Sequence, residues 1–368
     1  MAEVWIGDTF RIFPGKYGED PLWGYAKDLK YSDGENAEVV FKNPASKFFN
    51  PVMPKNAPIG QKGLHGAVWF ETVYQDLKDV SGKTLYGIYH NENYPSTLPY
   101  DYISKEGYKN ILWPQGLTGP ESPAAVCRIG VMKSIDGGKS WDNRGIFIED
   151  YDPRMIRKPI NTSNTFAGGV GDPSAVASGD YLYLFYGEYG YPGVYDEKTY
   201  KVQKEWSGQC ISIARIALKD LDYPVGKAKR WDGKSFSIAY DSYGVPVRSL
   251  QIPINEGGGG ASSPTGGFHW GPSVSWNTYL NCWVMMMGKV EGKSWQGDKI
   301  YISFNKHKDL GAGNNSQDWS KPELVFQKPG YILWYPSLQP LNDPNDIKEK
   351  YTSVKLGKRA RFFVKRIK

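Results

Sequence analysis

An all-β chain folded as a five-bladed β-propeller is the architecture the sequence predicts, and three observations predict it. Paired β-prone runs recur around short turns. A Trp-bearing turn returns at a spacing of roughly 90 residues. An X-Pro-Ser triplet opens three of the apolar strands, as Asp172-Pro173-Ser174, Gly271-Pro272-Ser273 and Tyr335-Pro336-Ser337. Composition agrees. Aromatics make up 15% of the 368 residues, 42 Gly and 25 Pro supply turns, and no stretch holds a helical period. The expectation is a single unit over 1–368, its N- and C-terminal strands closing the ring.

The first run, Val4–Phe13, carries Gly7-Asp8-Thr9-Phe10. The second begins at Leu64-His65-Gly66 and runs to Tyr74. It turns at Ser81-Gly82-Lys83 and returns as Leu85–Tyr89 into His90-Asn91-Glu92. After a loop rich in Tyr, Pro and Gly comes Ala125–Lys133, then Ser134-Ile135-Asp136-Gly137-Gly138-Lys139-Ser140-Trp141. That octet matches the Asp-box, in which Asp caps turn amides, Gly supplies a positive φ and Trp packs back between strands. Its role is structural. Looser echoes stand at Trp231-Asp232-Gly233-Lys234-Ser235 and Asp318-Trp319-Ser320.

The most informative stretch is Gly171–Tyr189. Two β-prone runs flank Ser178-Gly179-Asp180, the composition of a tight hairpin. A hairpin returns the chain to its starting edge, so Asp172 and Glu188 share one rim. Val274–Trp276 and Leu280–Met287 repeat the layout around Asn277-Thr278. In a propeller the ends of these hairpins converge on one mouth of the central channel. That mouth collects Asp8, His65, His90, Asn91, Glu92, Asp172, Glu188, His269, Lys289, Trp334 and Tyr335. Burying so many polar groups costs stability unless they bind something. Asp8, Asp172, Glu92 and Glu188 are therefore the candidate catalytic acids. His65, His90, Asn91, His269, Trp270, Lys289, Trp334 and Tyr335 are the candidate substrate-binding groups. Loop aromatics (Tyr94, Tyr100, Trp113, Tyr191) offer further flat faces.

The net charge of +6 gathers largely in the tail Lys355–Lys368 instead of a basic stripe, which argues against a nucleic-acid partner. No apolar run is long enough to span a bilayer. Cys127, Cys210 and Cys282 are odd in number and each lies in an apolar run, which reads as buried free thiols. Met1-Ala2 leads straight into a strand, so an export signal already removed, and a secreted or periplasmic location, is expected.

With blades opened by Asp-Pro-Ser and followed by Tyr181-Leu182-Tyr183-Leu184-Phe185-Tyr186-Gly187, the chain resembles the five-bladed glycoside hydrolases of the family 43 type, arabinanases and β-xylosidases, and their bacterial relatives. The resemblance covers most of the chain as architecture and Asp172–Gly187 as motif. It implies hydrolysis of a plant or algal polysaccharide or oligosaccharide by carboxylate acid/base catalysis, with a carbohydrate as partner and no required cofactor. Asp172 matches the family's pKa-tuning Asp. The blade opening at His65 lacks the family's Asp and the one at Gly271 lacks its Glu, so Asp8, Glu92 and Glu188 would supply the carboxyls. Some relatives carry a calcium ion near the axis, for which His90 or His269 is the candidate ligand. Three alternatives stand beside it. A non-catalytic sugar-binding propeller would keep the aromatic rim. A sialidase would fit the Asp-box, but Arg128, Arg154, Arg157, Arg215 and Arg248 do not sit at blade starts. A polysaccharide lyase could use His90 with Tyr89.

Overall fold

The computed structural model describes residues 2–13, 16–18, 30–35, 39–40, 46–48, 67–93, 125–149, 166–188, 210–253, 256, 267–278, 280–291, 297–337, 351–356 and 360–365. His65, Tyr94, Tyr100, Trp113 and Tyr191 lie outside them.

Blade I is formed by β1 (Ala2–Ile6), β2 (Thr9–Phe13), β4 (Lys30–Gly34) and β5 (Ser46–Phe48), while β3 (Lys16–Gly18) crosses to pair with the next blade. Blade II is the meander β6 (Ala67–Gln75), β7 (Leu85–Asn93), β8 (Ala125–Ser134) and β9 (Asp142–Glu149). Blade III runs β10 (Phe166–Ser178), β11 (Tyr181–Glu188), β12 (Cys210–Ala217), β13 (Lys229–Trp231) and β14 (Phe236–Ala239). Blade IV is β15 (Gly267–Asn277), β16 (Cys282–Glu291), β17 (Lys299–Asn305) and β18 (Glu323–Gln327). The first strands follow one another in space, β1 against β6, β6 against β10 and β10 against β15. A series of antiparallel meanders joined through their first strands is a β-propeller. Tyr335-Pro336-Ser337 lies beside this axis, the Tyr335 hydroxyl against Asp172 of β10, and β19 (Tyr351–Leu356) and β20 (Ala360–Lys365) pair with each other. Among the described residues no helix is long and apolar enough to cross a membrane.

The core lies between the blades. Phe13, Phe70, Tyr89 and Trp141 fill the gap between blades I and II. Ile129, Phe147, Val170, Leu184 and Tyr186 fill the gap between II and III, and Phe185, Ile213, Val274, Met285 and Trp319 the gap between III and IV. This is why the inner strands read as nearly continuous apolar runs. Both faces of each sheet are covered by neighbouring sheets, so strict alternation with polar residues is not required.

The turns gather at one end of the sheets. Gln75 Nε2 donates to the carbonyls of Trp5 (2.9 Å) and Gly82 (2.8 Å), and Arg11 Nη1 donates to the Gly137 carbonyl (2.6 Å). The first hairpin turns of blades I and II and the Ser134–Trp141 turn therefore share a mouth. In that last turn Asp136 Oδ1 accepts from Ser134 Oγ (2.8 Å) and from the amides of Lys139 and Ser140 (both 2.9 Å), while Oδ2 accepts from Ser140 Oγ (2.7 Å). Trp141 Nε1 donates to the Gly138 carbonyl, and Trp319 repeats the contact with Ser316, both at 3.0 Å. The echo at Trp231 is not equivalent. The strand order puts its turn between β13 and β14, at the outer edge of blade III.

Candidate active site at the channel mouth

At the other end of the sheets, the inner strands are irregular at matching places. In β10 the pairing with β11 slips between Gly171 and Ser174, and in β15 the pairing with β16 slips between Trp270 and Ser273. In β6 the pairing with β7 slips between Phe70 and Thr72, leaving Glu71 as the extra residue. Asp172, Gly271 and Tyr335 head the three X-Pro-Ser triplets with φ of 50°, 56° and 52°. The following Pro restricts each X, yet all three sit in the left-handed region, which for Asp and above all Tyr is strained. Strain of this kind persists where packing over-determines it, and it concentrates at functional sites. A bulge re-aims the side chain it carries. Here the re-aimed groups meet.

Glu71, His90 and Asp172 each bring one donor atom within 4.8 Å of the others. Asp172 is buried, its Oδ1 lies 3.5 Å from His90 Nδ1, and it accepts a 2.6 Å hydrogen bond from the Tyr335 hydroxyl. Its Oδ2 is buried with no hydrogen-bond partner among the described residues. Glu92 is buried opposite Cys127 across β7 and β8. Burial disfavours the charged form of His90, but Cys127 and Asp172 beside it outweigh that, and His90 titrates well above its ordinary value. Cys127 is itself pushed up to about 12 by burial, so it stays a thiol where an imidazole titrates. Burial, then the carboxylates of Asp172 and Glu71, push the Tyr335 hydroxyl well above its usual range, so it remains a donor.

Of the residues expected at this mouth, the structure brings together Asp172, His90, Glu92 and Tyr335. Trp270 and Trp334 stand next to them. Trp270 meets the rings of Tyr335 and Trp334 edge-on at 5.1 and 5.7 Å. Asp8 is not there. It is exposed in the Gly7-Asp8 turn between β1 and β2, at the opposite mouth, because Gly7-Asp8 is the hairpin tip and not a strand opening. Glu188 lies at the correct end of β11 but is taken up by the fully buried Arg230, whose Nη2 donates to it and whose Nε donates to the Tyr186 hydroxyl at 2.9 Å. It faces the interface of blades II and III and serves to dock them. Asn91 falls on the other face of β7 from His90 and accepts from Arg128 Nη2 at 2.9 Å. Lys289 pairs with Glu291 at 2.8 Å. His269 Nδ1 lies 2.7 Å from the Leu250 carbonyl, and burial, assisted by Lys289, lowers its pKa to about 4, so it is neutral. His269 is not part of the donor cluster, and the residue that sequence reading missed is Glu71.

No protein-family profile matches the chain, and no curated protein matches it in sequence. Solved structures do resemble it. An α-L-arabinofuranosidase from Fusarium graminearum, in complex with an iminosugar inhibitor, is 11% identical over 98% of this chain and 76% of its own, with a TM-score of 0.48. An α-L-arabinofuranosidase from Lactobacillus brevis is 11% identical over 95% and 80%, with a TM-score of 0.46. The native arabinanase of Bacillus subtilis is 9% identical over 97% and 88%, with a TM-score of 0.43.

Proposed function

We propose that the chain is a secreted glycoside hydrolase, one propeller over its whole length, acting on a polysaccharide or oligosaccharide. One observation carries this reading. Bulges in the inner strands of adjacent blades bring the carboxyl groups of Glu71 and Asp172 to one point at a channel mouth, beside a charged imidazole. Hydrolysis of a glycosidic bond needs two carboxyl groups with different tasks, one passing a proton to and from oxygen and one remaining an anion. Asp172, between the His90 imidazolium and the Tyr335 hydroxyl, has the surroundings of the fixed anion. Glu71, partly exposed, is the group that can reach a sugar oxygen and trade a proton with it. Glu92 lies buried behind them. The Trp270, Trp334 and Tyr335 rings offer the apolar faces on which a sugar stacks.

The calcium expected from the resemblance finds a poor fit. The ion takes about six to eight oxygen ligands, whereas among the described residues the cluster offers two carboxyl groups and one imidazole. Glu71, His90 and Asp172 are therefore assigned to proton chemistry.

The test is product release from a panel of arabinans, galactans, xylans and algal glycans, by wild type and by Asp172→Asn and Glu71→Gln. Each variant should lose at least about 10²- to 10⁴-fold in turnover, the usual worth of a positioned acid or base. If sugar binds to all three proteins and none yields product, the chain is a binding module.

A further inference from the structure

Tyr335 is the group this fold has gone furthest to place. It follows β18, the last strand of blade IV, yet its hydroxyl ends 2.6 Å from Asp172 Oδ1 in blade III. Two features permit this. The backbone of Tyr335 takes the left-handed conformation at φ 52°, which an aromatic residue rarely adopts. The blade IV residue at the matching position is Gly271, and a Cβ there would lie in van der Waals contact with the Tyr335 ring at 3.5 Å. The ring is steadied by Trp270 edge-on at 5.1 Å. One oxygen of Asp172 is thereby fixed by Tyr335, with His90 on the same oxygen at 3.5 Å, while Oδ2 is buried without a partner among the described residues.

We infer that Tyr335 is a positioning residue for the hydrolysis. By holding Oδ1 it fixes the rotation of the Asp172 carboxylate beside Glu71 and His90. The inference rests on the hydrolase reading above. It goes further in assigning the segment that follows blade IV a direct part in orienting the Asp172 carboxylate.

Tyr335→Phe tests it, because the ring and its packing remain and only the hydroxyl is lost. Turnover should fall roughly 10- to 100-fold, the scale of one hydrogen bond to a charged group, with KM changed by no more than about twofold. The pH–rate profile should move as well. The titratable groups facing the carboxylate are Glu71, His90, Glu92, Cys127 and Tyr335 itself, and a carboxylate that loses a donor takes up a proton more readily, so the acid limb shifts to higher pH. Gly271→Asn, a residue that tolerates a positive φ, should displace the Tyr335 ring and give the same loss of kcat. A Tyr335→Phe enzyme with wild-type kcat and an unmoved profile overturns the inference while leaving the hydrolase reading intact. Should no glycan be hydrolysed by wild type, the hydrolase reading fails, and histidine-selective NMR still decides the contact. Ring signals of His90 that shift in Tyr335→Phe sustain the positioning of Asp172, and unchanged signals overturn it.

Discussion

Two ends of the same sheets carry aspartates to opposite effect. At the turn end, Asp136 is saturated by four local hydrogen bonds, and Asp79 accepts from the amides of Ser81 (2.9 Å), Lys83 (3.1 Å) and Thr84 (2.7 Å). Burial works against ionising Asp136, but the Ser140 amide and hydroxyl and its other partners prevail and hold it below the usual carboxylate range. At the channel end, no such nest of amides surrounds Asp172 among the described residues. Its neighbours are a charged imidazole, a tyrosine and another carboxyl group. An acid whose lone pairs are all spoken for by its own turn organises backbone. An acid facing titratable groups, with one oxygen unmatched, is available for chemistry.

Pairing Asp136→Asn with Asp172→Asn breaks this comparison most sharply. The Asp172 variant should lose several powers of ten in turnover and keep its melting temperature. The reverse pattern would mean that the functional mouth is the other one. Next in size is the buried pair that belongs to neither class. Arg230→Met leaves Glu188 charged in the interface of blades II and III, and by analogy with other buried pairs should cost ~3–5 kcal/mol in denaturant unfolding. If the loss is below ~1 kcal/mol, the pair is not what docks these blades. Asp136→Asn should cost less, about 1–2 kcal/mol, the scale of a few lost hydrogen bonds on a partly exposed turn, with turnover per folded molecule unchanged.

The smallest effect is a pH dependence. His269 has a folded pKa of about 4, below its ordinary 6.5, so the folded state prefers the neutral ring. Its contribution is fully present above about pH 6.5 and is lost as pH falls toward about 4. Replacing it with Asn should flatten the melting temperature of the protein across that window. An unchanged slope would show that His269 is not the group being charged there.

Much of this was legible in the sequence, for reasons that differ by residue. Asp172, His90 and Glu92 were found because hairpin ends in a meander must share an edge, and turn chemistry located those ends. The Trp141 turn was legible because its interactions are local. Glu71 was not, since it lies inside an apolar run where regular alternation gives no sign of one extra residue. Asp8 was misplaced for the opposite reason: Gly7-Asp8 looks like Gly171-Asp172, but in a five-residue strand it is already the turn. Asn91 shows the same sensitivity, since one step along β7 reverses the face. Tyr335 was visible as a repeat of the X-Pro-Ser triplet, whereas its reach to Asp172 depends on what blade IV lacks.

The first residues of β10 have a consequence of their own. Phe166, Gly168 and Gly169 pair in parallel with Ala125, Val126 and Cys127 of β8 before the strand crosses to blade III, so blades II and III belong to one continuous sheet of ten strands. At Gly169, with φ of 92°, a methyl group would overlap the Cys127 carbonyl oxygen. Blades I and II are joined likewise where β3 pairs with β6, whereas blades III and IV meet among the described residues mainly through apolar side chains. Between His90 and Asp172 the spacer is main chain, as stiff as a rung in a ladder. When the protein warms, the side-chain seam between blades III and IV should loosen first, and the main-chain seam should behave like a hinge pin. Amide protons along 166–169 would then exchange among the slowest in the molecule, and the two halves of the proton pair would stay in register until the ring itself comes apart.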